Sequence, residues 1–158
     1  MASINYDEIL SRFYTKVEAF DFLYENISDE MMDGFVSEWM HSSISYPYIR
    51  KLFDAVTVDD EGKTVEYELR YKIDDATDRD FVTEILANGF ARAWLKPKVT
   101  SLTTVSQFFG SSDQKYFSQS NHLEQLRQLL TDTEYEIRAL IRDRGYFNNT
   151  YLDGGDKR

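Results

Sequence analysis

The sequence predicts a mainly α (α+β) fold, a compact bundle of about four helices with one inserted antiparallel β-hairpin. Apolar residues recur at helical spacing in four segments, whereas between residues 55 and 73 they alternate strictly with polar ones. Hydrophobic residues make up 42% of the 158 residues, which suits one core in one domain. We therefore expect residues 1–152 to form a single domain and residues 153–158 a flexible tail.

Two helices are predicted in the first third of the chain. Asn5 and Glu8 form a pair that resembles a capping box, so the first helix is expected over residues 6–16. Ser28 is the N-cap candidate of the second helix, because two acidic residues and an apolar face follow it. This helix must end before Pro47, since a residue that precedes proline is disfavoured in the α region.

The hairpin is predicted over residues 55–73. One strand alternates five apolar with five polar or charged residues: Val65, Tyr67, Leu69, Tyr71 and Ile73 against Thr64, Glu66, Glu68, Arg70 and Lys72. Val56 and Val58 begin the partner strand, and a loop containing Gly62 joins the two. Because two strands alone are marginally stable, the apolar face must lie on a helix or on a neighbouring subunit.

Two further helices are predicted in the second half. Thr77 or Asp78 is expected to cap the third, and Pro97 to end it. Gly89 in this helix suggests the close approach of another backbone. Asn121 is expected to cap the fourth helix, with Gly145 at its C-terminal end.

Charge is unevenly distributed along the chain, which carries a net −10. Residues 1–80 have 19 acidic and 8 basic side chains, a net of −11, and residues 81–158 have 9 and 10, a net of +1. The acidic half argues against a tight grip on nucleic acid, which needs clustered Lys and Arg. It is compatible with a surface that DNA passes without sticking, since like charges repel.

No residues are nominated for catalysis, metal binding or cofactor binding. The chain has no cysteine, and His41 and His122 each lack a second ligand at helical spacing, so structural roles are expected for both. No phosphate-binding glycine loop, nucleophile elbow or zinc-protease motif occurs. We expect a non-enzymatic protein that is made in the cytoplasm and that does not insert in a membrane.

The second half resembles a known group of viral proteins. The segments "ARAWLKPKVTSLTTVSQFFGSSDQKYFSQSNHLEQLRQLL" and "EIRALIRDRGYFNNTYL", within Ala91 to Leu152, are similar to the head–tail connector, adaptor or neck structural proteins of tailed bacteriophages. The resemblance implies a ring, commonly of twelve copies, that lies below the portal protein at the head–tail junction of the virion. It implies contacts with portal and tail or neck proteins, passage of DNA without sequence-specific binding, and no catalysis.

Aromatic residues outside the predicted helix faces are the candidate subunit interface of such a ring. They are Phe108, Phe109, Tyr116, Phe117, Tyr146, Phe147 and Tyr151. Rings bury a large area with few rotatable bonds, which makes them suitable interface residues. The alternative is that these rings pack in the protomer's own core.

Acidic residues of the hairpin suggest a second role. Glu66 and Glu68 lie on one face of the predicted strand, and in a ring this face is a candidate lining of the DNA channel. The simpler alternative is a solvated face that keeps the chain soluble.

Other functions stay open on the sequence alone. The inserted hairpin departs from the smallest adaptors, so a tail-terminator or baseplate structural protein is an alternative. The acidic first half also suits a cytosolic binding module that mimics DNA, and an enzyme is the third alternative.

Overall fold

The computed structural model describes residues 1–17, 28–108 and 113–148, with side chains described for residues 1–17, 28–100 and 121–147. Its helices are α1 (Tyr6–Val17), α2 (Asp29–Ser45), α3 (Pro47–Arg50), α4 (Asp75–Phe108) and α5 (Asp113–Gly145), and a 3-10 helix, Tyr146–Asn148, follows α5. The strands β1 (Ala2–Asn5), β2 (Phe53–Asp59) and β3 (Thr64–Leu69) form an antiparallel sheet in the order β1-β3-β2. The predicted fold class is confirmed, since a mainly helical chain carries a small sheet built on the hairpin.

The hairpin has the predicted apolar face. Val58 pairs with Val65, and the inward side chains Val65, Tyr67 and Leu69 are buried. The strand ends at Leu69 and not at Ile73, because Ile73 donates its N–H to the side chain of Asp78 at 3.2 Å instead of extending the ladder.

Strand β1 was not predicted. It pairs with β3 through Ile4 opposite Val65, and Ile4 is completely buried. Four residues are too few to show the alternation that identifies a strand, and the pattern around Asn5 indicates only the cap of the helix that follows.

The first two helices begin and end close to the predicted residues. The N–H of Met31 donates to Ser28 Oγ at 3.3 Å, which confirms Ser28 as the N-cap of α2. Helix α2 ends at Ser45, and Pro47 starts the short α3, where the fixed φ of proline suits the first helical position.

The cap of α4 differs from the prediction. Asp74 is the capping residue, because its Oδ1 accepts the N–H of Thr77 at 2.8 Å and its Oδ2 accepts the hydroxyl of Thr77 at 2.7 Å. Thr77 and Asp78 therefore lie inside the helix. The acidic cluster before α4 offered several possible caps, and the sequence did not distinguish them.

The long helices also depart from their predicted ends. Helix α4 continues through Pro97 to Phe108, and α5 begins at Asp113, so Asn121 is an exposed interior residue and not a cap. Gly145 ends α5 as predicted, but it lacks the left-handed φ of a glycine cap, and the chain continues into the 3-10 helix. An interior proline costs about 3 kcal/mol, which the buried residues just before Pro97, among them Trp94, help to offset.

The core lies between α1, α2, α4 and the inner face of the sheet. Phe13 is at its centre, with ring centroids 5.2 Å from Trp39, 6.2 Å from Phe90 and 6.0 Å from Trp94. Of the sixteen aromatic residues with described side chains, seven are buried, two are half-buried and seven are exposed.

Helices α2 and α4 approach closely at Gly89. A β-carbon at this position would lie 2.7 Å from the Cβ of Ser43, which no real pair of such atoms tolerates. Gly89 thus leaves room for the side chains of Ser43 and Ile49, and not for the backbone that the sequence suggested.

Candidate interaction surfaces

The C-terminal end of α5 is fixed to the domain by one buried ion pair. Arg144 donates from Nη2 to Asp78 Oδ1 at 2.5 Å and to the carbonyl of Tyr71 at 2.8 Å. Its guanidinium also lies 4.4 Å from the ring centroid of Phe81. The side chains of Arg144 and Asp78 are only 8% and 11% exposed, so little water competes for these bonds.

Three aromatic side chains are exposed around this fixed end. Tyr146 is 57% exposed and Phe147 is 66% exposed in the 3-10 helix that follows Arg144. Tyr71, whose carbonyl accepts the Arg144 bond, is 61% exposed. We call Tyr71, Tyr146 and Phe147 the aromatic end. Beside it, an apolar groove of about 260 Å³ opens between the hairpin and α5.

Two of the seven predicted interface residues therefore have described, exposed side chains. Phe108 is the last residue of α4, and Tyr116 and Phe117 lie in the first turns of α5, but the side chains of all three lie outside the described residues, as do Phe109 and Tyr151 altogether. The role expected of these five stays a prediction. Tyr71 was missed as an interface candidate because the alternation in residues 65–73 placed it on the buried face of the strand.

The predicted acidic pair lies on the outer face of the sheet. Glu66 is exposed between Ser3 on β1 and Thr57 on β2, which are its neighbours in the register. Glu68 is half exposed, and its Oε1 accepts a hydrogen bond from Lys72 Nζ at 2.9 Å. The two carboxylates thus share one solvent face, and the charge of Glu68 is partly balanced.

A stronger concentration of carboxylates lies at the turn of the hairpin. It consists of exposed residues from three elements, which we call the acidic tip: Asp7, Asp33, Asp59, Asp60 and Glu61. Lys63 connects the turn to α2 through a 2.9 Å ion pair with Asp33. Its backbone has a φ of 50°, a left-handed conformation that closes the turn.

Asp60 attaches the acidic tip to the helices. Its Oδ1 accepts the hydroxyls of Tyr6 and Ser37, each at 2.7 Å, and its Oδ2 lies 2.8 Å from Nε2 of His41. These bonds, that of His41 first, lower the pKa of Asp60 to about 2. Burial, followed by the bond to Asp60, raises the pKa of Tyr6.

The residue types around Asp60 are those of a hydrolase triad, but the connections are different. In a hydrolase triad the serine hydroxyl donates its hydrogen bond to the histidine. Here Ser37 donates to the carboxylate of Asp60, and His41 bonds to the other oxygen of the same carboxylate. The described hydrogen bonds therefore do not connect Ser37 to His41. The arrangement fixes the position of the hairpin turn. No local sequence pattern signals this arrangement, because the partners of Asp60 lie on other elements.

Among the described side chains, no group of three or more His, Asp or Glu residues is placed to hold a metal ion. Nor does any helix in the described part of the chain combine the length and hydropathy needed to cross a membrane. Comparison of the chain with protein-family models, curated proteins and solved structures gives no match.

Proposed function

We propose that the chain is a non-enzymatic structural subunit of a tailed-bacteriophage head–tail connector, a ring of twelve copies between portal and tail. The observation that carries the proposal is the aromatic end, where Tyr146 and Phe147 are more than half exposed on a rigidly held helix terminus. The segment that resembles connector proteins includes this terminus.

Exposed rings on a fixed support are costly to leave in water and favourable to bury. An aromatic side chain contributes 150–250 Å² of surface, and about 25 cal/mol is gained for each Å² of apolar surface removed from water. Because Arg144 already holds the end of α5 in place, the aromatic end loses little further conformational entropy when a partner covers it. A neighbouring copy, the portal or a tail protein would supply such a cover.

Passage of DNA is the second part of the proposal. Glu66 is exposed on the outer face of the hairpin, and a ring of copies multiplies this charge around a channel. A negatively charged wall repels the phosphate backbone and so prevents adhesion. Replacement of both Glu66 and Glu68 by Gln is expected to slow DNA packaging or ejection, and an unchanged virion would contradict the channel assignment.

The assembly proposal is tested by native mass spectrometry of the purified chain, alone and with a portal protein from the same genome. We expect a ring or a portal-bound species that weakens by at least about thirtyfold in Kd in the variant Tyr146→Ser/Phe147→Ser, since the loss of a single central aromatic residue, at about 2 kcal/mol, already gives this factor. Tyr135→Ser is the matched control, because Tyr135 is 59% exposed on α5 and lies outside the aromatic end.

Two results would contradict the connector assignment. One is a wild-type chain that stays monomeric both alone and with the portal. The other is a gene neighbourhood without portal, capsid and tail genes.

The acidic tip favours one alternative, a binding module that mimics DNA. Five exposed carboxylates with one paired lysine resemble a phosphate array in charge. Salt-sensitive binding to a DNA-binding protein, lost in Asp59→Asn/Glu61→Gln, would favour this alternative over the connector.

A further inference from the structure

A surface near the base of the hairpin is positively charged although the chain is acidic. It consists of Tyr48 and Arg50 from α3, Lys51 from the following turn and Arg138 from α5, and we call it the Tyr48 surface. The Tyr48 ring is 39% exposed, with Lys51 Nζ at 5.1 Å and the Arg138 guanidinium carbon at 5.9 Å from its centroid. All three cationic side chains are exposed.

These three cations have no carboxylate partner among the residues whose side chains are described. No Asp or Glu oxygen of that set lies within 4.0 Å of Arg50, Lys51 or Arg138, and Arg50 donates instead to the carbonyl of Phe53 at 2.8 Å. Elsewhere cations are typically paired, as Arg12 is with Asp80. The Tyr48 surface therefore offers a partner three positive charges and the exposed part of the Tyr48 ring.

The acidic tip has the complementary character and lies at the other end of the hairpin. Strand β2 begins at Phe53, beside Arg50, and ends at Asp59 in the acidic tip. At about 3.3 Å for each residue, its seven residues separate the two surfaces by roughly 20 Å. This exceeds the screening length of about 8 Å at physiological salt, so the two surfaces do not neutralise each other within one molecule.

We propose that copies of this chain associate head to tail, with the Tyr48 surface of one copy seated on the acidic tip of the next. This inference rests on the proposed ring function and specifies how adjacent subunits recognise each other. A contact between two different surfaces of the same chain repeats from copy to copy, and it closes into a ring when the rotation between copies allows.

A second copy fits the Tyr48 surface better than a nucleic acid does. Three cations neutralise few phosphates, and the net charge of −10 repels the backbone as it approaches. The acidic tip, in contrast, presents a compact group of carboxylates that the protein holds in place through Asp60 and Lys63. Complementary charge at such a contact fixes its orientation as well as its strength.

The test uses two charge-reversed variants and their mixture. Lys51→Glu/Arg138→Glu makes the Tyr48 surface acidic, and Asp7→Lys/Glu61→Lys makes the acidic tip basic. By sedimentation velocity in 20 mM and 500 mM NaCl, we expect the wild type to associate at low salt and each variant alone to associate at least about tenfold more weakly. An equimolar mixture of the two variants is expected to recover association, because each supplies the surface that the other needs.

The mixture separates local complementarity from general attraction. Each double reversal changes the net charge of −10 by 4 units, to −14 or −6, so both variants stay negative and repel each other overall. Lys96→Glu/Arg127→Glu is the matched control, since it also gives −14 but changes exposed cations outside the Tyr48 surface. We expect this control to associate as the wild type does under the same conditions.

Four results would overturn the head-to-tail contact: a wild type that is monomeric at low salt, single variants that associate as the wild type does, a mixture that stays monomeric, or a discrete dimer as the largest species. Weaker binding of labelled single-stranded DNA by Lys51→Glu/Arg138→Glu, with self-association unchanged, would assign the surface to nucleic acid instead. If Tyr146→Ser/Phe147→Ser abolishes the ring while the reversals do not, the ring function stands and only this contact is wrong.

Discussion

Asp78 and Asp60 each attach a segment of the chain to the helical core, but they do so in opposite environments. Asp78 is buried at 7% exposure and receives Arg144 at 2.5 Å together with the N–H of Ile73. Asp60 has a side chain that is 42% exposed, yet it gathers three partners, among them Tyr6 at 2.7 Å.

From this difference we expect burial to affect the free energy of unfolding more than the number of bonds does. When one partner of Asp60 is lost, water can take its place, so the cost is limited. When Asp78 is lost, Arg144 remains as a charge without a partner where water cannot reach it. The aromatic end therefore depends on a strong attachment, and the acidic tip on a weaker and adjustable one.

The largest effect is expected for Asp78→Asn. Loss of one partner of a buried ion pair costs about 3–5 kcal/mol, measurable as the free energy of unfolding in urea. Asp143→Asn is the control, because the Asp143–Arg142 pair is 63% and 59% exposed and water screens it, so its loss should leave the free energy of unfolding nearly unchanged. Equal effects of the two substitutions would contradict the role given to burial.

A double substitution sharpens the same comparison. Replacing both Asp78 and Arg144 with apolar residues, Asp78→Leu/Arg144→Met, should cost less than Asp78→Asn alone, because no buried charge remains unpaired. The measurement is again urea unfolding, together with the self-association of the variant. A double variant less stable than the single one would indicate that the bonds to Tyr71 and Ile73, and not the unpaired charge, dominate.

The sequence predicted what short-range patterns determine. Ser28 as a cap and the alternation around Val65 depend on neighbours within a few residues, and both were confirmed. The partners of Asp60 and Asp78 lie 54 and 66 positions away in Tyr6 and Arg144, and no local pattern encodes such pairs. The exposure of the aromatic end could be predicted only in part. The aromatic residues are evident in the sequence, but the residues that surround them in the fold are not.

The errors at helix ends have a common physical origin. Pro97 and Asn121 were interpreted as helix boundaries, because each residue type favours a boundary when a helix is considered in isolation. In the fold α4 packs against α1, α2 and α5, and these contacts stabilise helical structure across both positions. Local preferences of about 1–3 kcal/mol are overridden when an entire helix face is buried.

A smaller effect is expected for Asp60→Asn. The amide still accepts some of the hydrogen bonds but lacks the charge, so we expect a loss of about 1–2 kcal/mol in the free energy of unfolding. Glu61→Gln is the control, since it removes one charge from the same turn without touching Tyr6, Ser37 or His41. A loss as large as that of Asp78→Asn would remove the distinction between the two attachments.

The smallest expected effect is the pH dependence of the unfolding free energy that is lost in Asp60→Asn. Because its partners lower the pKa of Asp60 from 3.8 to about 2, the folded state binds this proton less readily than the unfolded state does. The contribution of Asp60 to stability is therefore complete above about pH 4 and disappears as the pH falls through about 2. The difference in unfolding free energy between wild type and Asp60→Asn, measured in urea at pH 5, 4, 3 and 2, should narrow over this interval. Other carboxylates titrate equally in both proteins and cancel, so a constant difference down to pH 2 would mean that the three donors do not favour the charged form of Asp60.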